Sequence, residues 1–250
     1  MLSIDPDAIR AKLKIAVAAL KPHVARFEKS KAALPNLTSR DGALIADQAL
    51  IQVEAGVQNN HLDAFSQFCR LAQLRIQTQH LNPLSDEARA VWIHAFLDFG
   101  WSLQGRGSAP RFRVPNPTIP TVTSCLARQL KFAQMVPLIE RSMKGQAGSP
   151  KASELLKRAS STQLEVFSFQ SVPVFRSHDD RLCVGLFFTH YTAQMLHGNG
   201  RPPAEWRRDF DNFGTACTVA IDLESLERVL PVIREETQTL GRLLFEEIRI

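Results

Sequence analysis

The chain carries none of the short signatures that name a chemistry. Its 250 residues hold four cysteines, Cys69, Cys125, Cys183 and Cys217, and no CxxC pair. That spacing excludes a zinc ribbon and a thioredoxin-type site. GxSxG, P-loop and GxGxxG patterns are missing. Gly105-Arg106-Gly107 is too short for a phosphate-binding glycine loop, and Gly198-Asn199-Gly200 runs into Arg201-Pro202-Pro203 where a dinucleotide site needs a helix start. No helix-turn-helix, zinc-finger, RRM or KH signature is present. Long apolar runs are lacking too. The longest, 182–188, falls far short of the roughly 20 residues that cross a bilayer. Asp5, Asp7, Lys12 and Lys14 sit where a secretory leader would be basic and then apolar. The expectation is a cytoplasmic protein with reduced thiols, no cofactor and no membrane partner.

Acidic side chains are scarce in one stretch. Residues 101–160 carry ten basic groups against Glu140 and Glu154, a local +8 where the whole chain is +5. Residues 41–100 and 161–250 are each −4. A positive belt between negative segments is the footprint expected for a polyanion. Arg111-Phe112-Arg113 places an aromatic ring between two guanidinium groups, which suits stacking on a base while phosphates are neutralised. The predicted contact residues are Arg106, Arg111, Phe112, Arg113, Arg128, Lys131, Lys157 and Arg158. The predicted partner is a nucleic acid of unspecified type or an acidic protein surface, with a homo-oligomer as a further option.

Hydrophobic content is 44% and charged content 22%, as in ordinary globular proteins. The apolar spacing predicts an α+β fold, predominantly helical. An N-terminal helical bundle (1–148) is followed by a small antiparallel β-hairpin or sheet packed with C-terminal helices (160–250). The boundary falls at 146–163 unless the chain forms one compact domain. Asp5-Pro6 opens the first helix, and Ile9, Leu13, Ala16, Leu20 and Val24 share a face. Further helices are expected over 41–57, from Asn60 to Leu81, from Ser85, and over 122–136. Residues 104–120, with four prolines and two glycines, read as a loop, and 150–159 as a short basic helix. From Gln163 the period changes to that of strands, with a turn near Asp179-Asp180. Residues 203–213 read as a short helix, 217–221 as a third strand, and Asp222 caps the last helix.

His178, Asp179, Asp180, Cys183, His190 and His197 gather metal-ligating types within twenty residues. A turn at Asp179-Asp180 puts His178 and His190 at opposite ends of a ladder, so no metal site is predicted. Two rivals to nucleic-acid binding stand. One is a sensor or interaction module that binds a protein or small molecule through the 164–191 hairpin and the C-terminal helices. The other rests on Arg75-Ile-Gln-Thr-Gln-His80, whose spacing resembles the Arg-x4–6-His pair of HEPN-type ribonucleases; Arg89 and His94 repeat it. That resemblance implies a dimer with Arg75 and His80 as catalytic residues. A non-enzymatic protein remains the preferred reading.

Overall fold

The computed structural model describes residues 4–24, 42–46, 49–82, 85–112, 119–144, 166–192, 212–240 and 246–248. Among them the chain is α+β. Six α-helices are present: α1 Pro6–Val24, α2 Asn59–Thr78, α3 Asp86–Leu97, α4 Ile119–Gln129, α5 Val136–Lys144 and α6 Leu223–Thr237. Seven strands are present: β1 Gly42–Ala46, β2 Ala49–Val53, β3 Ser102–Phe112, β4 Val166–Arg176, β5 Arg181–Thr192, β6 Asn212–Asp222 and β7 Glu246–Ile248. They form one mixed sheet in the order β3-β6-β5-β4-β2-β1-β7. All pairs are antiparallel except β2 with β4.

Both faces of the sheet are covered. Alternate strand residues point to opposite faces. Val172, Val184, Leu186, Val219 and Ile221 join the buried cluster of α1, α2, α3 and α6. On the other face, α4 and the turn before α5 press against glycines. A Cβ on Gly214 would lie 2.6 Å from Leu126 Cδ2, and one on Gly185 would lie 2.6 Å from Met135 Sδ. The first layer is anchored by paired rings: Phe68 lies 5.7 Å from both Phe96 and Phe99, and Phe96 meets Trp101 edge-on at 5.1 Å. Such pairs contribute beyond the area they bury.

Local chemistry sets the helix ends. The Asp5 carboxylate accepts from the Asp7 N–H at 3.0 Å, Ser85 Oγ from Ala88 at 3.2 Å, and Asp222 Oδ1 from Ser225 at 2.7 Å. Three helices finish in the same way, with a left-handed residue just past the end. His80 (φ 53°) follows α2, Gly100 (φ 94°) follows α3 and Lys131 (φ 63°) follows α4. In each, the next N–H reaches back five residues: Leu81 to Ile76 O, Trp101 to Phe96 O, and Phe132 to Ala127 O. This is the Schellman arrangement.

The helical N-terminal reading is corrected in two places. Residues 41–57 are not a helix, because β1 and β2 occupy them. Ala46, Leu50 and Val53 fit a helical stripe, but every residue of β2 is buried. A strand covered on both faces reads as a continuous apolar run. Nor is 104–112 a loop, since it is most of β3. Its register slips between Leu103 and Gly105 and again between Ala109 and Phe112. Those irregularities, and its place at the sheet edge, accommodate Pro110. The expected sheet was small, whereas the observed one draws strands from both halves of the chain. The third strand is Asn212–Asp222, longer than 217–221. The 122–136 helix breaks at Gln129 and resumes as α5. The basic helix over 150–159 and the 146–163 boundary lie outside the described residues.

Candidate functional site

Strand β3 carries the centre of the basic belt. Among the described residues it is an edge strand, bonded within the sheet to β6 alone. Cβ atoms on Gly105 and Gly107 would approach Phe132 and Leu130 within 3.0 and 2.8 Å, so both glycines face the α4 layer. Arg106 lies between them and points to the opposite face, opposite Cys217. It is exposed there.

On that face Arg106 lies within electrostatic reach of Arg89 of α3. Burial, and then the repulsion of the Arg106 guanidinium, hold the Arg89 pKa below its usual value. The Arg89 guanidinium stands 5.7 Å from the Phe188 ring centroid, a cation–π distance, and pairs with Asp86 one turn earlier. Arg89 was not among the belt candidates. Ala88, Trp92, Ala95 and Phe96 fill the apolar face of α3, and nothing in its one-dimensional pattern places Arg89 beside β3.

The other belt residues divide. Lys131 is exposed on the α4 side, where it serves as the left-handed residue that ends α4. Arg128 is exposed on the same side and donates to Glu140 Oε1 at 2.7 Å. Arg111 and Phe112 continue the β3 backbone, with Phe112 opposite Asn212. Arg113, Lys157 and Arg158 lie outside the described residues. The belt therefore wraps the β3 edge, with Arg106 on one side and Arg128 and Lys131 on the other.

Arg75 and His80 are not brought together as partners. His80 is exposed at the end of α2. Arg75 donates to Asp98 Oδ2 at 3.2 Å and lies 5.9 Å from the Phe99 ring centroid. The second oxygen of Asp98 is 3.6 Å from His94 Nδ1. Arg75, His94 and His23 line one groove of about 500 Å³, which His80 does not line. The structure thus pairs the Arg of one sequence match with the His of the other, through a shared carboxylate.

The thiols are held in their unreactive form. Burial raises the pKa of Cys69, Cys125 and Cys183, and pushes Cys217 up to about 12. His178 is exposed beside the β4–β5 turn, and His197 lies outside the described residues. Among the described residues no group of three His, Cys, Asp or Glu side chains is placed to hold a metal ion. No helix among them is long and apolar enough to cross a membrane. No protein-family model matches the chain, and no curated protein matches it.

Proposed function

We propose that the protein binds nucleic acid along the β3 edge, without catalysing a reaction on it. The observation that carries this reading is the exposed Arg106 on the β3 edge, directed away from the α4 layer. A phosphate on that face gains a charge-assisted contact to the Arg106 guanidinium. Phe112, at the end of the same strand, is the residue proposed to stack on a base. Lys131 adds a charge from the other side of the edge.

The test is a titration of the full chain with labelled single-stranded and duplex oligonucleotides at two salt concentrations. Affinity falls tenfold or more between about 50 and 200 mM salt if several phosphates are neutralised. Arg106→Ala lowers the magnitude of the log–log salt slope by about 0.7 on single strands, one phosphate's share. Phe112→Ala weakens single-strand binding by about 1–3 kcal/mol and leaves duplex binding nearly unchanged. Binding indifferent to salt, or an Arg106→Ala slope equal to that of the wild type, refutes the interface.

A further inference from the structure

The groove that holds Arg75 and His94 is a second site. Helix α1 packs on α2 and α2 on α3, and the three leave a concave surface of about 500 Å³. From α1 it takes Ile15, Ala19 and Leu20, from α3 Ala90 and Val91, and from the last turns of α2 Arg75 and Thr78. Ile15 is 74% exposed, the more open of two large hydrophobic side chains left to solvent among the described residues. A lone exposed isoleucine is ordinary. Ile15 differs because it lines a groove whose other side chains are mostly apolar. That volume, apolar with a few polar groups, is the form of a small-molecule site.

The polar groups set the sign of the ligand. Arg75, His23 and His94 line the groove, and among the described residues no carboxylate does. Asp98 stands behind them, 3.2 Å from Arg75 Nη1 and 3.6 Å from His94 Nδ1. With the Phe99 ring 5.9 Å from the guanidinium carbon, Asp98 holds Arg75 in place. The Asp98 contact occupies one N–H of a planar group that donates along more than one edge. A guanidinium fixed beforehand loses little freedom when it takes a second acceptor. The Thr78 hydroxyl already donates to Arg75 O at 3.0 Å, which leaves the guanidinium as the cationic donor of the groove.

We propose that this groove binds a small apolar carboxylate, with its carboxyl group on Arg75 and its tail between Ile15 of α1 and Val91 of α3. The dimensions favour a small molecule over a docked helix. From Ile15 to His23 the α1 side runs about 12 Å, or roughly two turns, whereas a helix seated by its i, i+3, i+4 and i+7 side chains needs a longer trough. The proposal does not rest on nucleic-acid binding at β3, and no oligonucleotide enters its test.

The full chain is titrated calorimetrically with octanoate, octylammonium and acetate. Octanoate saturates one site. Octylammonium, with the same tail and the opposite charge, binds at least about tenfold more weakly. Acetate, which lacks the tail, binds at least about a hundredfold more weakly. Arg75→Gln lowers octanoate affinity about tenfold. Ala19→Leu fills the groove without touching its charge and lowers affinity as much or more. Ala19 is exposed on α1 and leucine is a good helix former, so that variant keeps the fold. Arg228→Gln, exposed on α6, removes the same charge elsewhere and binds octanoate as the wild type does. Absence of saturable octanoate binding, equal affinity for octylammonium or acetate, or wild-type affinity in Arg75→Gln or Ala19→Leu overturns the proposal, as does a loss in Arg228→Gln equal to that in Arg75→Gln.

Discussion

His80→Gly is expected to make the protein more stable. His80 occupies the left-handed position past α2, at φ 53°, where its N–H bonds to Gln77 O at 3.2 Å and the Leu81 N–H bonds to Ile76 O at 3.1 Å. A residue with a Cβ costs about 1–2 kcal/mol in this conformation, and glycine removes that cost. Glycine also loosens the unfolded chain, which offsets about 0.4–1 kcal/mol. The side chain is exposed, so little packing is lost. The net gain is about 0.5–1 kcal/mol, or roughly 1–4 °C in Tm for a chain of this size. Urea denaturation gives the midpoint, and an unchanged slope shows that the same surface unfolds. His80→Ala keeps the left-handed cost and stays within about 0.5 kcal/mol of the wild type. Gly100→Ala moves the opposite way, because φ is 94° and the new Cβ would lie 2.8 Å from Ile4 Cδ1. A His80→Gly variant less stable than the wild type refutes the helix-end account. The same variant separates structure from chemistry. RNA cleavage by the purified protein that disappears in this stabilised variant assigns His80 to a nuclease, whereas none is expected.

Gly185→Ala is expected to destabilise by about 2–3 kcal/mol through overpacking, because the added methyl would meet Met135 Sδ at 2.6 Å, Phe187 Cε2 at 2.7 Å and Pro173 Cγ at 2.9 Å. Wild-type stability in a thermal melt would mean that the layer before α5 does not press on the sheet as described. His61 has a lowered pKa, from burial first and against the pull of Glu227, with Arg176 adding repulsion. The unfolded state then binds the extra proton more readily, so this contribution is full above the ordinary histidine pKa of about 6.5 and is lost as pH falls below it. The difference in urea midpoint between wild type and His61→Gln should therefore change between about pH 7.5 and 5.5, in favour of the variant at the lower pH, and a pH-independent difference refutes the assignment.

The helices were legible where a cap and a period coincided. Ser85 precedes Asp86 and Glu87, and the structure starts α3 there with the Ser85 hydroxyl bonded to Ala88. Asp222 marks α6 in the same way, and Leu226, Leu230 and Ile233 bury the predicted seam. Strands β1 and β2 were not legible, because Gly-Ala-Leu-Ile-Ala and Ala-Leu-Ile-Gln-Val are short apolar runs that a helix and a buried strand share. Tertiary pairing decides them: β2 runs between β1 and the parallel β4. Strand β3 was hidden by its own glycines and proline, which read as loop chemistry. In the fold they serve packing, because Gly105 and Gly107 let Phe132 and Leu130 lie directly on the strand.

The candidate site was legible as an amount of charge and not as a place. A net +8 over residues 101–160 says nothing about direction, and strand alternation sends Arg106 away from the α4 layer that holds Arg128 and Lys131. Arg128 is also largely offset by Glu140, one of the two acids inside the belt. The cation within electrostatic reach of Arg106 comes from a segment of opposite sign: Arg89 belongs to the net −4 stretch 41–100. The same limit hid the pairing of Arg75 with His94, because Asp98 joins two helices that sequence spacing treats separately. Spacing along one helix fixes which residues share its face, and the packing of two helices fixes which faces meet. A charge window in sequence therefore gives an amount of charge and not the face that carries it. How much of that charge is left to meet a partner depends on the carboxylates the fold sets beside it, as Glu140 is set beside Arg128 and Asp86 beside Arg89.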